Sequence, residues 1–402
     1  MTTASWLTLA VAALACHEWL VTIPGSSRSR KFHMTLRYLL LLVALAGSAK
    51  AGPAILARLD GLVPTGGSPV SPFVAQGDTS FTEALSRQRP EWPFPSGQSS
   101  GAVEMWRGQV IQALRDQTGL VADVQAPAPV KILRSEMVGD VRRSLVTFTS
   151  WDGTAIPAYV HEPTGGVSPR AAVLVLAGHG GGIAATAGLV EDYQHGAALS
   201  LARRGYLTLA PELRGFGLLG AQGMANHRVV SAAALEAGTS YKAVVLRDLV
   251  GALTVLAQWP GVDPQRLAVA GTSLGGELAV LLGALDERVR VVLSSSYGGT
   301  IGPVTLDEDL ADDAGQSPHG CHTIPGANRI LHQEDWARLV APRALLVARG
   351  DKNTPRDANL FDTAVREAYS AHAVADRFLL TIEPGAHEFY LEPSVRFLDR
   401  WL

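Results

Sequence analysis

The chain has 402 residues, 47% of them apolar and 18% charged. That composition excludes disorder as its main state and suffices for one large domain, or for two of roughly 150 residues each. The formal charge is −3, with acidic and basic residues interleaved, so the chain offers no broad basic face to a phosphate backbone and nucleic acid is not expected as a partner.

The N-terminus reads as a leader. From Met34, MTLRYLLLLVALAGSAKAGP places Arg37 before an apolar run and ends in the small-x-small triplet Ala49-Lys50-Ala51, the pattern of a cleaved export signal. An earlier apolar run, ASWLTLAVAALACHEWLVTI (4–23), is marginal for a span of about 20 residues and is interrupted by His17 and Glu18. Residues 1–51 are therefore a cleaved signal peptide starting at Met34 or an uncleaved anchor, the former favoured because the second run is short. Arg28, Arg30, Lys31 and Arg37 lie between the two runs, so either arrangement sends the rest of the chain outward.

Residues 52–100 are rich in Pro, Gly and Ser without sustained periodicity and read as an extended linker or surface strap. Residues 101–402 read as the folded domain. It opens with a helical pattern, AVEMWRGQVIQALRDQTG (102–119), with Gly119 as a stop. RSLVTFTS (143–150) and AIPAYVHEP (155–163) flank WDGT, a hairpin signal.

The pattern then changes to continuous apolar strands alternating with helices. The strands are AAVLVLAG, YLTLAPE, RLAVAG, VRVVLSSS, RALLVARG and RFLLTIEPG; between them fall helical segments such as AVVLRDLVGALTVLAQ and LGGELAVLLGALD. Such an alternation predicts an α/β fold: a mostly parallel sheet of about eight strands, the first two antiparallel, with helices on both faces.

In a sheet of this kind chemistry gathers in the loops after the strands. Ser273 lies in Gly271-Thr-Ser-Leu-Gly275, between a predicted strand and a predicted helix. There a serine can occupy a strained turn with its hydroxyl exposed, the glycines removing side chains that would clash. A serine hydroxyl needs a base, and His387 follows the last predicted strand in IEPGAHEFY. The imidazole in turn needs an acid. Asp351, directly after RALLVARG, is the first choice; Asp357 is its competitor, and Asp312 and Asp313 are remoter.

An oxyanion would be held by the backbone amides of Leu274 and of His179 or Gly180, the latter pair in the glycine-rich LAGHGGG. That loop lacks the Lys-Ser/Thr of a phosphate-binding P-loop. HGCH (319–322), around Cys321, shows no four convergent ligands and reads as a packed loop. No metal or organic cofactor is expected. Arg214 in PELRGFG could touch substrate or brace its loop through an ion pair, the bracing role being favoured, and Asp248 reads as structural.

Ser273 in GTSLGG, Asp351, His387 and the HGGG run resemble the α/β-hydrolase superfamily. ELRGFG (212–217), His387-Glu388 and CHTIPGANRILHQEDWARLVAPRALLV (321–347) resemble acetyl xylan esterases, cephalosporin C deacetylases and dienelactone-hydrolase-like esterases. The resemblance spans about residues 140–402 and implies a serine esterase acting on short acyl groups, with acetylated carbohydrate as one class. Two departures stand out: Leu274 replaces the Gln that the acetyl xylan esterase pattern has after the nucleophile, and the usual His-Gly pair after the first parallel strand falls on Ala177-Gly178, with His179 next. In the acid turn the commoner Gly-x-x-Asp spacing falls on Asn353.

The long connections 214–240 and 297–320 are expected to line the substrate pocket. Peptide hydrolysis by the same triad, or a silent hydrolase fold that binds a ligand at the cell envelope, are the alternative readings.

Overall fold

A computed structural model describes residues 84, 87–121, 123, 129–166, 168–220, 226–303 and 320–402. The expected leader, most of the expected linker, Asp312 and Asp313 lie outside the described residues. Among those described, no helix is long and apolar enough to cross a membrane.

Among the described residues nine strands form one sheet: β1 (Lys131–Val138), β2 (Val141–Thr149), β3 (Ala155–Pro163), β4 (Arg170–Leu176), β5 (Leu207–Pro211), β6 (Val262–Thr272), β7 (Val289–Ser295), β8 (Ala344–Gly350) and β9 (Phe378–Glu383). Their spatial order is β1-β2-β3-β5-β4-β6-β7-β8-β9. The first three strands pair antiparallel, β3 pairs antiparallel with β5, and every pair from β5 to β9 is parallel.

The count exceeds the expected eight by the edge strand β1. Its sequence, KILRSEMV, is exposed along most of its length and carries no two-sided apolar signal. Pairing with β2 holds it, including a Ser135–Ser144 hydroxyl contact of 2.8 Å.

The central strands are buried on both faces because alternate side chains leave them in opposite directions. Leu174 and Leu176 of β4 join one core with Val269, Val292, Leu345 and the helices Tyr241–Ala257 and Leu274–Leu285. Val173 and Val175 join the other with Ala268, Leu293, Leu346 and the helices Ala197–Ala202 and Leu391–Trp401. Each such leucine or valine contributes about 1.5–3 kcal/mol by leaving water. The helix Leu274–Leu285 is apolar on nearly every side and correspondingly buried from Leu274 to Ala284. It is seated so closely that a Cβ on Gly283 would fall 2.3 Å from Val292.

The helix Ser100–Thr118 ends at Gly119 with φ 69°, the left-handed stop that glycine accepts without a side-chain clash. Before it, the described residues from Gln88 to Ser99 form no regular element. They lie against that helix, where Trp106 donates its indole N–H to the Trp92 carbonyl (2.9 Å) and meets the Phe94 ring edge-on.

Candidate active site

Ser273 occupies the turn between β6 and the helix Leu274–Leu285, with φ 58° and ψ −123°. A non-glycine residue at positive φ is strained, and the surroundings hold it there. Its N–H donates to the Ser295 carbonyl on β7 (2.9 Å), and its own carbonyl accepts from Glu277 N–H (3.0 Å). Both flanking glycines are obligatory. A Cβ on Gly271 would lie 2.1 Å from the Gly275 carbonyl oxygen, and one on Gly275 would lie 2.1 Å from that of Leu176. The side chain is partly exposed, and the first amides of the helix, starting with Leu274, have no partner one turn earlier.

The loop after β4 is held against this turn. A Cβ on Gly178 would come within 3.1 Å of Ser273 Cβ and 2.3 Å of the Tyr193 hydroxyl. Gly178 N–H donates to Gln194 Oε1 (2.8 Å), and the Tyr193 hydroxyl donates to the His179 carbonyl (2.6 Å). His179 and Gly180 therefore follow directly on a residue packed against the nucleophile.

The same loop rests on Glu212, a residue to which the sequence reading assigned no role. Its carboxylate is buried at the end of β5 and accepts from Ile183 N–H (3.1 Å) and Leu218 N–H (2.8 Å). It fills the space where a Cβ of Gly182 or Gly217 would stand, both glycines having positive φ. Burial pushes its carboxyl above the usual range, against the pull of those amides. Glu212→Gln puts an NH2 opposite one N–H, leaving that donor unmet at a cost of about 1–3 kcal/mol. The variant should melt earlier and lose kcat on an ester substrate, both measurable on purified protein.

His387 lies on an exposed loop after β9 that is fastened across the neighbouring strand ends. Ser296 Oγ bonds both the carbonyl and the N–H of Glu388 (2.9 Å each), and Phe389 N–H donates to the Tyr193 carbonyl (2.9 Å). The Tyr193 ring, whose hydroxyl lies beside Gly178, has its centroid 5.4 Å from that of His387. Ser273, Gly178, Tyr193 and His387 are thus consecutive contacts across the ends of the strands.

An amide stands beside the imidazole. Asn353 Nδ2 stands 3.2 Å from His387 Nδ1, while Asn353 Oδ1 accepts from Gly350 N–H (3.2 Å). The Asp351 carboxylate instead accepts from Gly385 N–H (3.1 Å), and Asp357 precedes the helix Ala358–Ala371 at its N-cap. Asp351 lies two residues of turn before Asn353, and its bond to Gly385 N–H fastens the histidine loop. The Gly-x-x-Asp spacing that lands on Asn353 was the available signal.

Arg214 braces its loop through ion pairs to Asp152 and Asp248. Its five N–H donors are all taken: Nε and Nη2 by Asp248 (2.7 and 2.9 Å), Nη1 and Nη2 by Asp152 (2.7 and 2.9 Å), and Nη1 by Thr154 (3.3 Å). The hydrogen bond from Arg214 leads the forces that hold the Asp152 carboxyl far below its ordinary range. Asp248 also takes the Ser150 hydroxyl. Arg214→Lys keeps the charge but not the fork. It should cost about 2 kcal/mol of stability in denaturant titrations and leave KM within about twofold.

Behind the oxyanion loop lies a polar cluster. His179 Nε2 is 3.3 Å from Cys321 Sγ, and the neighbouring His322 places Nδ1 2.6 Å from Glu277 Oε2. Glu277 sits on the first turn of the nucleophile helix and is ion-paired with the fully buried Lys242. Burial works against its ionisation, but Lys242 and His322 hold the carboxyl below its usual range. Burial also pushes the Cys321 thiol up to about 12. The His179 side chain meets the HGCH segment through a long-range contact that no local pattern reveals.

Residues 128–297 match the family described as Acetyl xylan esterase (AXE1). The hydrolase YtaP of Bacillus subtilis (strain 168) is 27% identical over 260 residues, which are 61% of this chain and 83% of that protein. A Bacteroides fragilis NCTC 9343 protein described as an acetyl xylan esterase superposes with a TM-score of 0.62 at 19% identity, over 78% of this chain and 83% of its own. The glucuronoyl esterase of Solibacter usitatus superposes at 0.54 with 14% identity, over 75% of this chain and 93% of its own. Identities this low establish a shared fold. The chain therefore carries the fold of these esterases, and over residues 128–297 it resembles the acetyl xylan esterases, a family of carboxylic ester hydrolases.

Proposed function

We propose that this is an exported serine esterase that removes short acyl groups, acetylated carbohydrate being its substrate class, through an acyl-enzyme. The observation that carries the reading is Ser273 at φ 58° between β6 and its helix, a conformation that presents the hydroxyl at the strand ends.

In the reaction, Ser273 Oγ attacks the ester carbonyl as its proton passes to His387 Nε2, in the tautomer that carries the imidazole's own proton on Nδ1 and leaves Nε2 free. The oxyanion is held by Leu274 N–H and by the amide of His179, with Gly180 next to it, a placement favoured by the contact of Gly178 with Ser273. Collapse expels the alcohol, which takes the proton from the imidazole, and water then cleaves the acyl-serine by the same steps. Export rests on the signal-like pattern that ends at Ala51. The short-acyl preference rests on the acetyl xylan esterase match over residues 128–297.

Labelling with a fluorophosphonate and mapping the adduct by mass spectrometry tests the nucleophile, and a series of acetyl, butyryl and octanoyl esters tests the pocket. The adduct should lie on Ser273, and kcat/KM should fall with acyl length. An adduct elsewhere, or a rate that climbs with chain length, contradicts the proposal.

A further inference from the structure

We infer that His179, Cys321 and His322 form a binding site for a single zinc ion, tying the loop that faces Ser273 to the turn Gly320–His322. One ligand atom from each of the three residues lies within 4.8 Å of the others. The Nε2–Sγ pair, at 3.3 Å, already has the separation of neighbouring ligands on a tetrahedral ion with bonds of about 2.0–2.3 Å.

Two features beyond proximity point to a metal. The first is Glu277 at His322 Nδ1. A carboxylate bonded to one ring nitrogen fixes the tautomer and makes the other, Nε2, the more basic ligand, the arrangement that supports histidines on zinc. Glu277 is itself balanced by Lys242, so its charge is set before any ion arrives. The second is the donor set. One sulfur and two imidazoles suit zinc and not the oxygen-seeking calcium or magnesium, and ester hydrolysis by Ser273 makes no use of a buried cysteine.

Zinc binds the thiolate, so each ion bound releases the Cys321 proton to solvent, and apparent affinity rises with pH. Three protein ligands leave a fourth position for water. The ion's role is to hold residues 178–180 in place from behind.

Titration of the untagged, reduced protein with Co²⁺ as a coloured substitute, followed by competition with Zn²⁺, tests the site. One equivalent of cobalt should bring up a thiolate-to-metal charge-transfer band, which zinc abolishes. Cys321→Ser should remove the band and weaken binding at least about tenfold. Ser273→Ala should keep the band, which separates this inference from the esterase mechanism. If Cys321→Ser does not fold, His322→Gln should still shift the cobalt spectrum, and the wild-type titration stands alone. A wild-type protein with no charge-transfer band at stoichiometric cobalt, or a band that survives loss of Cys321, overturns the site.

Discussion

Asn353→Asp should raise kcat on a short-acyl ester by at least about 10²-fold and by as much as about 10⁴-fold, the factor associated with exchanging a carboxylate for an amide beside a catalytic histidine. The reason lies in two donors that share one side chain. Gly350 N–H points at Asn353 Oδ1, which turns Nδ2 toward His387 Nδ1. An amide in that orientation donates to Nδ1 and favours the neutral tautomer with its proton on Nε2, the atom that must accept the proton of Ser273.

A carboxylate accepts at both oxygens. One would inherit Gly350 N–H and the other would take Nδ1–H, freeing Nε2 as a base. Steady-state kinetics decide the point. A variant that folds normally but gains nothing means the acid arrives from another residue, and Asp351→Asn should then abolish activity where this account has it only loosen the Gly385 contact.

How far such a site can be read from sequence varies with how local its causes are. The parallel sheet was legible because AAVLVLAG, RLAVAG and RALLVARG are continuous apolar runs, and strands buried on two faces need them. The nucleophile turn was legible because its requirements are steric and fall within five residues, as the blocked Cβ positions of Gly271 and Gly275 show.

Polar partners were harder. Asp351 is a carboxylate immediately after a strand, and the amide at Nδ1 comes two residues later in the same turn, at Asn353. Glu212 and Arg214 are three-dimensional in the same sense. Each satisfies groups from separate loops, and only the assembled sheet brings Ile183 to Leu218 or Asp152 to Asp248. The edge strand β1 escaped because an exposed strand has no need of an apolar pattern.

Ser273→Ala is expected to act differently in the two backgrounds. Where the triad works as a unit, loss of the serine costs about 10⁶ in kcat, and the residue that orients the base costs about 10⁴. These losses do not add. In the native chain, where an amide already faces His387, Ser273→Ala should lower kcat by only about 10² to 10⁴. In Asn353→Asp the same change should lower it by about 10⁶, to the same floor, which the oxyanion amides alone sustain.

Alanine keeps the N–H that bonds Ser295 and the Cβ that packs on Gly178, so melting temperature should move little in either background. Comparing kcat and thermal unfolding of the four proteins checks the scheme. Equal losses in both backgrounds would mean that Asn353 does not govern the base, and a native-chain variant that keeps its full rate would place the nucleophile elsewhere.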